Sequence, residues 1–183
     1  MIKGELPTGE TVYEERRFSL RKCLIPRSDD QEEYRAVIIH PGSVIILALD
    51  HDGDVVLIGN HRWQIGQRLL ELPAGTMDKS EVPAVCAARE LIEETGYRAE
   101  NLVPFHTFYP LPGGSTEVMY AFVATGLHWV GQALEPDEDI HVEKMSLAAI
   151  QYALCQGEIV DGKTIAMLSL YLLRKEQIVE SAD

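Results

Sequence analysis

The six residues from Arg89 to Glu94 hold the side chains of this sequence that are best suited to chemistry. Three of them are carboxylates: Glu90, Glu93 and Glu94. If the segment is helical, Glu90 and Glu94 lie one turn apart, with Glu93 beside them. Like charges repel at that spacing, and a divalent cation reverses the effect because Mg²⁺ and Mn²⁺ prefer oxygen ligands. The spacing therefore indicates a metal site, and a charged, solvated helix face is the alternative.

The residues around these acids predict the helix that positions them. Ser80 is the expected N-cap, and Pro83 falls in the first turn, where its missing N–H is not needed. Glu81 stands near the positive end of the helix dipole. Gly96 is a typical left-handed residue at the end of a helix. Apolar residues at helical spacing predict a buried face away from the acids, at Val82, Val85, Ala88, Leu91 and Ile92.

The same stretch resembles the Nudix box without a departure from that motif. Gly75 is followed after five residues by Glu81, and after seven more by Arg89-Glu90-Leu91-x-Glu93-Glu94-x-Gly96-Tyr97. A solvated helix accounts for the three acids but not for the glycines, the arginine and their joint spacing. The resemblance implies a hydrolase of phosphoric anhydrides. It also implies structural roles for Gly75, Glu81 and Gly96, and an orienting role for Arg89.

The segment before the box resembles the lead-in of the ADP-ribose pyrophosphatase branch of that family. Residues 60–63 read Asn-His-Arg-Trp and residues 71–75 read Glu-Leu-Pro-Ala-Gly. They are similar to Q-x-R … E-L-P-A-G, with His61 where glutamine is more usual nearby. In that branch the alanine carbonyl is a metal ligand. The resemblance thus implies that Ala74, Glu90 and Glu94 hold Mg²⁺, with Mn²⁺ as a substitute.

The lead-in also carries candidate substrate-binding residues. An arginine next to an aromatic ring suits phosphate and base contacts together, so Arg62 and Trp63 are candidates for the diphosphate and the adenine. Glu71, in the same lead-in, is a third candidate. The alternative on the residues alone is a surface arginine beside a partly buried tryptophan.

Two loops after the box complete the candidate site. Residues 109–117 resemble the Y-x-S-P-G loop of the same branch, with Leu111 in place of serine, which implies substrate contacts from Gly113 and Glu117. The acidic loop at 135–139 resembles the one whose glutamate serves as general base or extra metal ligand, and Glu138 is the best match. Glu135, Asp137 and Asp139 stay open as the base, as does Glu93. A plain connector and a solvated turn are the alternatives for the two loops.

Composition excludes several classes of function. The chain has 183 residues, 46% of them hydrophobic, and a formal net charge of −13. This charge argues against binding of nucleic acid or anionic membrane, and the sequence has no apolar run of about 18–20 residues. The first ten residues lack the apolar stretch of a secretory signal, and three scattered cysteines favour a reducing compartment. We therefore expect a cytoplasmic protein without disulfides.

Mixed short strands with few helices predict an α+β fold, and the box resemblance implies the Nudix α/β/α sandwich with a mixed sheet. We expect a β-rich N-terminal arm over residues 1–33 and the hydrolase domain over 34–183. Ser28 to Glu33 reads as a polar loop, Ser146 as the cap of a second helix, and Asp161 as the cap of a third. Asp52-Gly53 predicts a hairpin turn between two strands.

The resemblance implies Mg²⁺-dependent hydrolysis of a nucleoside diphosphate sugar, with ADP-ribose giving AMP and ribose 5-phosphate. Another such sugar, for example GDP-mannose, is the alternative within this class. A Nudix-fold sensor without catalysis is the alternative outside it, although such modules usually lose box carboxylates and this chain keeps them all. ADP-ribose pyrophosphatases exchange N-terminal strands, so the resemblance also implies a homodimer through the arm.

Overall fold

The structure, a computed structural model, describes residues 6–26, 32–136 and 138–180. Three helices occur in this part of the chain: α1 (Pro83–Thr95), α2 (Leu147–Gln156) and α3 (Gly162–Glu180). The strands are β1 (Glu10–Glu14), β2 (Ser19–Pro26), β3 (Glu32–Ile39), β4 (Ser43–Leu49), β5 (Val55–Arg62), β6 (Gln67–Glu71), β7 (Ala74–Thr76), β8 (Tyr97–Phe108), β9 (Met119–Trp129) and β10 (Ile140–Met145).

The main sheet has seven strands and is mixed, as expected. Its central order is β10-β5-β4-β9-β8, with β6 paired to β5 and β7 paired to β4. The β4–β9 pair is parallel, whereas the other pairs in this sheet are antiparallel. The β4–β5 hairpin turns at Asp52-Gly53, as its sequence predicts.

Helices cover both faces of this sheet, which confirms the sandwich. Strand β4 shows why, because successive side chains of a strand point to opposite faces. Val44, Ile46 and Ala48 pack with the buried face of α1, whereas Ile45 and Leu47 pack with α2 and α3. All five are fully buried, so β4 reads as an unbroken apolar run rather than an alternating one.

Helix α1 starts later than the sequence predicts and buries a different face: Cys86, Ala87 and Leu91 are buried, whereas Val82, Val85 and Ala88 are exposed. Its N-cap is Val82, which makes no side-chain cap, and Pro83 opens the helix. Ser80, the predicted N-cap, instead adopts a left-handed turn with φ 67°. The prediction is wrong because the chain between β7 and α1 is shaped by Glu81, which binds Arg89 instead of beginning the helix. The predicted end is correct: Gly96 has φ 74° and its N–H donates to Ile92 O at 2.8 Å.

The N-terminal arm forms a separate antiparallel sheet, in the order β1-β2-β3. Its third strand changes one expectation, because Glu32 and Glu33 belong to β3 rather than to a polar loop. Residues 28–31 of that predicted loop lie outside the described residues. This sheet is joined to the loop before β9 by Ile38 of β3, whose N–H donates to Gly114 O and whose carbonyl accepts from Thr116 N–H, both at 2.9 Å.

The C-terminal helices begin where the sequence predicts. Ser146 caps α2 by accepting from Ala149 N–H at 3.2 Å, and Asp161 accepts from Thr164 N–H at 3.0 Å at the start of α3. The cap of α3 is important for the site because it fixes Lys163 in the first turn of the helix. No helix in residues 6–26, 32–136 and 138–180 is both long and apolar enough to cross a membrane.

Candidate active site

Arg89 organises the acids of the box from the middle of α1. Its Nε and Nη2 donate to the two carboxylate oxygens of Glu81, each at 3.1 Å, and its Nη1 donates to Glu90 and Glu93, each at 2.8 Å. We call these four residues the Arg89 cluster. The bidentate contact lowers the pKa of Glu81 to about 2 and raises the pKa of Arg89. One guanidinium therefore meets three carboxylates.

Glu90 and Glu94 are the two buried acids of the box. Burial raises the pKa of Glu90 to about 7, against the opposing effect of Arg89, and raises the pKa of Glu94 well above its usual value. Repulsion between carboxylates adds to the effect of burial: Glu93 and Glu138 raise the pKa of Glu90, and Glu90 and Glu138 raise the pKa of Glu94. Glu94 accepts from Ala74 N–H at 2.8 Å, so the box helix is joined directly to β7.

Gly75 is required by this packing. A Cβ at that position would lie 1.9–2.3 Å from the carboxylate atoms of Glu90, which is far inside van der Waals contact. The backbone of β7 and the Glu90 carboxylate therefore touch directly. This close approach gathers the Ala74 backbone, Glu90 and Glu94 at one place, which is the donor set expected of a Mg²⁺ or Mn²⁺ site.

A polar cavity of about 330 Å³ opens over these acids. Most of the residues predicted for the site line it. From the box and β7 these are Ala74, Gly75, Arg89, Glu90, Glu93 and Glu94, and from elsewhere they are Arg62, Trp63, Glu117 and Glu138. Trp63 stands at the mouth with 74% of its surface exposed, so its ring is free to stack. The structure thus brings together residues separated by up to 76 positions in sequence.

Glu71 lies behind the cavity and is completely buried. Its oxygens accept from Arg62 Nε at 2.7 Å, from Arg62 Nη2 at 2.6 Å and from Lys163 Nζ at 2.5 Å. We call Glu71, Arg62 and Lys163 the Glu71 cluster. The hydrogen bonds to Glu71 raise the pKa of Arg62. A carboxylate so enclosed supports the two cations and does not face the cavity itself.

The two loops after the box contribute unequally. Glu117 lines the cavity and accepts from Ser43 Oγ, whereas Gly113 is exposed and stands apart from the described lining residues. In the acidic loop, Glu135 and Glu138 line the cavity, and Asp139 pairs with Arg68. Asp137 lies outside the described residues.

Three cations in the cavity wall were not among the residues predicted from the sequence. Lys163 comes from α3, and Arg16 and Arg17 come from the turn between β1 and β2. The only available signal for Lys163 was its place two residues after the predicted cap at Asp161. The only signal for Arg16 and Arg17 was that two arginines stand side by side in an acidic chain. Their partner in the cavity wall, Glu135, is more than 100 residues away in sequence.

A second group of metal-ligand side chains lies on the β4–β5 hairpin. Ligand atoms of Asp50, His51 and Asp52 fall within 4.8 Å of one another. Asp50 is already engaged, because it accepts from Lys144 Nζ at 2.9 Å and from the N–H groups of Asp52 and Asp54. Those hydrogen bonds lower its pKa. We read this group as the polar end of a hairpin turn.

Comparison with known proteins agrees with this arrangement. The NUDIX domain model matches residues 39–166, which cover the main sheet, α1, α2 and the start of α3. A solved structure described as an ADP compounds hydrolase superposes with a TM-score of 0.78 over 97% of this chain and 98% of its own, at 20% sequence identity. That likeness concerns the fold.

Three relatives are similar in sequence. The methanol dehydrogenase activator of Bacillus methanolicus is 32% identical over 94% of this chain and 97% of its own. The ADP-ribose pyrophosphatase of Bacillus subtilis is 35% identical over 79% of this chain and 78% of its own. The GDP-mannose pyrophosphatase of Escherichia coli is 36% identical over 70% and 71%. With the family model covering most of its length and its box acids gathered around one cavity, the chain belongs to the NUDIX family of hydrolases.

Proposed function

We propose that this protein hydrolyses the pyrophosphate bond of a nucleoside diphosphate sugar, with ADP-ribose as the first candidate and AMP and ribose 5-phosphate as the products. The observation that carries the proposal is the cavity over Glu90, Glu93 and Glu94, where carboxylates outnumber the cations beside them. Pyrophosphate chemistry requires charge neutralisation at phosphate oxygens, which acidic side chains achieve only through bound cations. The names of two relatives, an ADP-ribose and a GDP-mannose pyrophosphatase, support this substrate class.

Glu90, Glu94 and the Ala74 carbonyl are the proposed ligands of Mg²⁺, with Mn²⁺ as a substitute. The contact of Glu90 with Gly75 and the hydrogen bond of Glu94 to Ala74 support this donor set. Bound metal would neutralise charge on the diphosphate and lower the pKa of the attacking water. Burial raises the pKa of both carboxylates, which is the expected behaviour of acids gathered for a cation.

Glu93 and Glu138 are the two candidates for the general base. Glu93 is the most exposed acid of the Arg89 cluster and lines the cavity. Glu138 reaches the same cavity from the acidic loop, and its charge raises the pKa of both Glu90 and Glu94. Arg89 is proposed to orient the acids rather than bind substrate, because Glu81, Glu90 and Glu93 already occupy its donors.

The remaining candidates are proposed to bind the substrate or to support residues that do. Arg62 fits the diphosphate and Trp63 the adenine, because both line the cavity mouth. Glu71 acts through Arg62 and Lys163, since it is completely buried beneath them. Glu117 is a candidate for the sugar, and Gly113 keeps a substrate role only if its exposed loop closes over the ligand.

A regulatory function is the second candidate, and one relative favours it. The methanol dehydrogenase activator matches nearly the whole chain, so a role in activating another enzyme is a specific alternative. The box acids oppose a purely binding role, because a sensor has no need of a complete set. Hydrolysis and activation are also compatible, since an activator can act through its own catalytic activity.

A substrate panel with and without metal tests these alternatives. The protein is incubated with ADP-ribose, GDP-mannose, dinucleoside polyphosphates and CoA, each with Mg²⁺, with Mn²⁺ or with EDTA, and products are separated by chromatography. AMP and ribose 5-phosphate that form only with metal support the proposal. GMP and mannose 1-phosphate at higher efficiency favour the alternative sugar. No turnover of any compound would favour the regulatory function.

We further propose a cytoplasmic homodimer in which residues 1–33 act as an arm and 34–183 as the hydrolase domain. Apolar side chains exposed on the arm support an association of this kind: Leu6, Val12, Tyr13, Leu24 and Tyr34. Because β3 begins at Glu32, the arm's sheet extends past residue 33 to Ile39. Light scattering gives the mass in solution, and a monomer would contradict the dimer. Cell fractionation tests the compartment.

A further inference from the structure

The acidic loop that carries Glu138 is held by the N-terminal arm. Arg16 Nη1 and Arg17 Nη2 lie 3.3 and 2.9 Å from the two carboxylate oxygens of Glu135. Both arginines belong to the turn between β1 and β2, 118 and 119 residues away in sequence. Two cations in one turn of the arm therefore form ion pairs with one end of the acidic loop on the same chain.

The other end of the loop is fixed by the hydrolase domain. Arg68 Nη1 donates to Asp139 O at 3.0 Å, and its Nη2 pairs with the Asp139 carboxylate. His61 N–H donates to the same carbonyl at 3.1 Å. This end adjoins β10, where the chain enters the main sheet. Glu138 thus lies between an anchor on the sheet and an anchor on the arm.

Glu138 is bonded to the residue that the arm holds. The Glu135 N–H donates to Glu138 Oε2 at 2.8 Å, and the Glu138 N–H donates to Glu135 O at 3.0 Å. Glu135 is therefore the residue that links the Glu138 carboxylate to Arg16 and Arg17. Moving Glu135 must move or release that carboxylate, because its hydrogen-bond donor is the Glu135 backbone.

We propose that Arg16 and Arg17 are positioning residues for hydrolysis, which hold Glu135 and thereby fix the Glu138 carboxylate over the box acids. The inference rests on the proposed function insofar as Glu138 takes part in the reaction. Arg16 and Arg17 are 72% and 52% exposed, and exposed ion pairs are individually weak. The expected effect is therefore a severalfold change in rate and not its loss.

A double-mutant cycle tests the proposal in turnover. The Arg16→Ala/Arg17→Ala variant should lower kcat about fivefold and leave KM within about twofold, since weak pairs orient Glu138 but do not bind substrate. In a Glu138→Gln background the same pair of substitutions should have no further effect on kcat. Arg35→Ala is the matched control, because it removes an exposed arginine of the arm that pairs with Glu33 instead.

Two results of the cycle would overturn the proposal. One is a fall in kcat of equal size with and without Glu138, because the arginines would then act independently of it. The other is a rise in KM with kcat unchanged, which would indicate that the arginines contact the substrate.

Reversing the pair with Arg17→Glu and Glu135→Arg together should restore most of the rate lost in Arg17→Glu alone.

Hydrogen exchange tests the same contact without catalysis. The amides of Glu135 and Glu138 are bonded within the loop, so Arg16→Ala/Arg17→Ala should speed their exchange about threefold or more, whereas Arg35→Ala should not. Unchanged exchange would overturn the proposal even in an active enzyme. If the protein hydrolyses no nucleoside diphosphate sugar but the exchange responds, the proposed function fails and the contact between arm and loop stands.

Discussion

The Arg89 cluster and the Glu71 cluster both contribute side chains to the same cavity, but their charge balance is opposite. In the Arg89 cluster one guanidinium serves three carboxylates, and the neighbouring Glu94 adds a fourth acid. In the Glu71 cluster one buried carboxylate serves two cations, and Asp161 also lies 3.0 Å from Lys163. The Arg89 cluster has fewer cations than carboxylates, whereas Arg62 and Lys163 balance the charges of Glu71 and Asp161.

This difference separates a reactive group from a supporting one. Buried charges must be compensated, so a cluster with too few cations must take up either a proton or a further cation. The Glu71 cluster has no such need and is suited to holding Arg62 and Lys163 rigidly in the cavity wall. Substitution of the proposed metal ligands Glu90 and Glu94 should therefore cost activity, whereas loss of the Glu71 carboxylate should cost stability.

The largest expected effect is on activity, at Glu94. Glu94→Gln should lower kcat/KM for ADP-ribose with Mg²⁺ by about 10³-fold or more, because it removes a proposed metal ligand while keeping the shape of the side chain. Product formation is measured by chromatography, and circular dichroism checks that the fold is retained. Glu100→Gln, at an exposed glutamate of β8, is the control. Normal turnover by Glu94→Gln with Mg²⁺ would show that the metal ligands are assigned wrongly.

The second effect is on stability, at Glu71. Glu71→Gln should lower the free energy of unfolding by about 3 kcal/mol, because it leaves Arg62 and Lys163 beside a neutral group. Urea denaturation of the metal-free protein measures it. Glu90→Gln is the matched variant and should leave stability unchanged or raised, because burial opposes the charge of Glu90. Equal losses in the two variants would remove the distinction between the clusters.

Sequence predicted the Arg89 cluster better than the Glu71 cluster, for a physical reason. Arg89, Glu90 and Glu93 lie on one helix, so local spacing places them on one face. Glu71 and Lys163 are 92 residues apart and meet only because the first turn of α3 lies against the end of β6. The contact of Arg17 with Glu135 depends in the same way on where the arm sheet rests. Nothing local in the sequence encodes such pairings.

The fold shows the same division between local and distant signals. Caps at Ser146 and Asp161, the turn at Asp52-Gly53 and the end of α1 at Gly96 were predicted from neighbouring residues and are confirmed. Ser80 failed as a cap because Glu81 is drawn to Arg89, a contact across eight positions that outweighs a local preference. The roles proposed for individual site residues stay predictions.

A pH dependence of stability should come from Glu81, the structural acid of the Arg89 cluster. Its hydrogen bonds to Arg89 lower its pKa from an ordinary value of 4.5 to about 2. A lowered pKa means that the stabilisation is complete above pH 4.5 and is lost as the pH falls towards 2. Glu81→Gln should therefore cost about 1–3 kcal/mol at pH 7 and less at each step below pH 4.5. Urea denaturation from pH 7 to pH 3 measures the difference in free energy of unfolding between the wild type and Glu81→Gln. A difference that does not change with pH would contradict the role of the Glu81 charge.

The smallest expected effect distinguishes charge from geometry in the Glu71 cluster. Arg62→Lys keeps the positive charge but replaces the two-point contact with Glu71, at 2.7 and 2.6 Å, by a single donor. We expect the free energy of unfolding to fall by no more than about 1 kcal/mol, because Lys163 still compensates Glu71. The KM for the nucleoside diphosphate sugar should rise about threefold to tenfold with kcat little changed. A mispositioned cation weakens binding of the substrate and of the transition state by the same amount. A fall in kcat at constant KM would instead mean that Arg62 belongs with the reactive acids, and the supporting role of the Glu71 cluster would have to be abandoned.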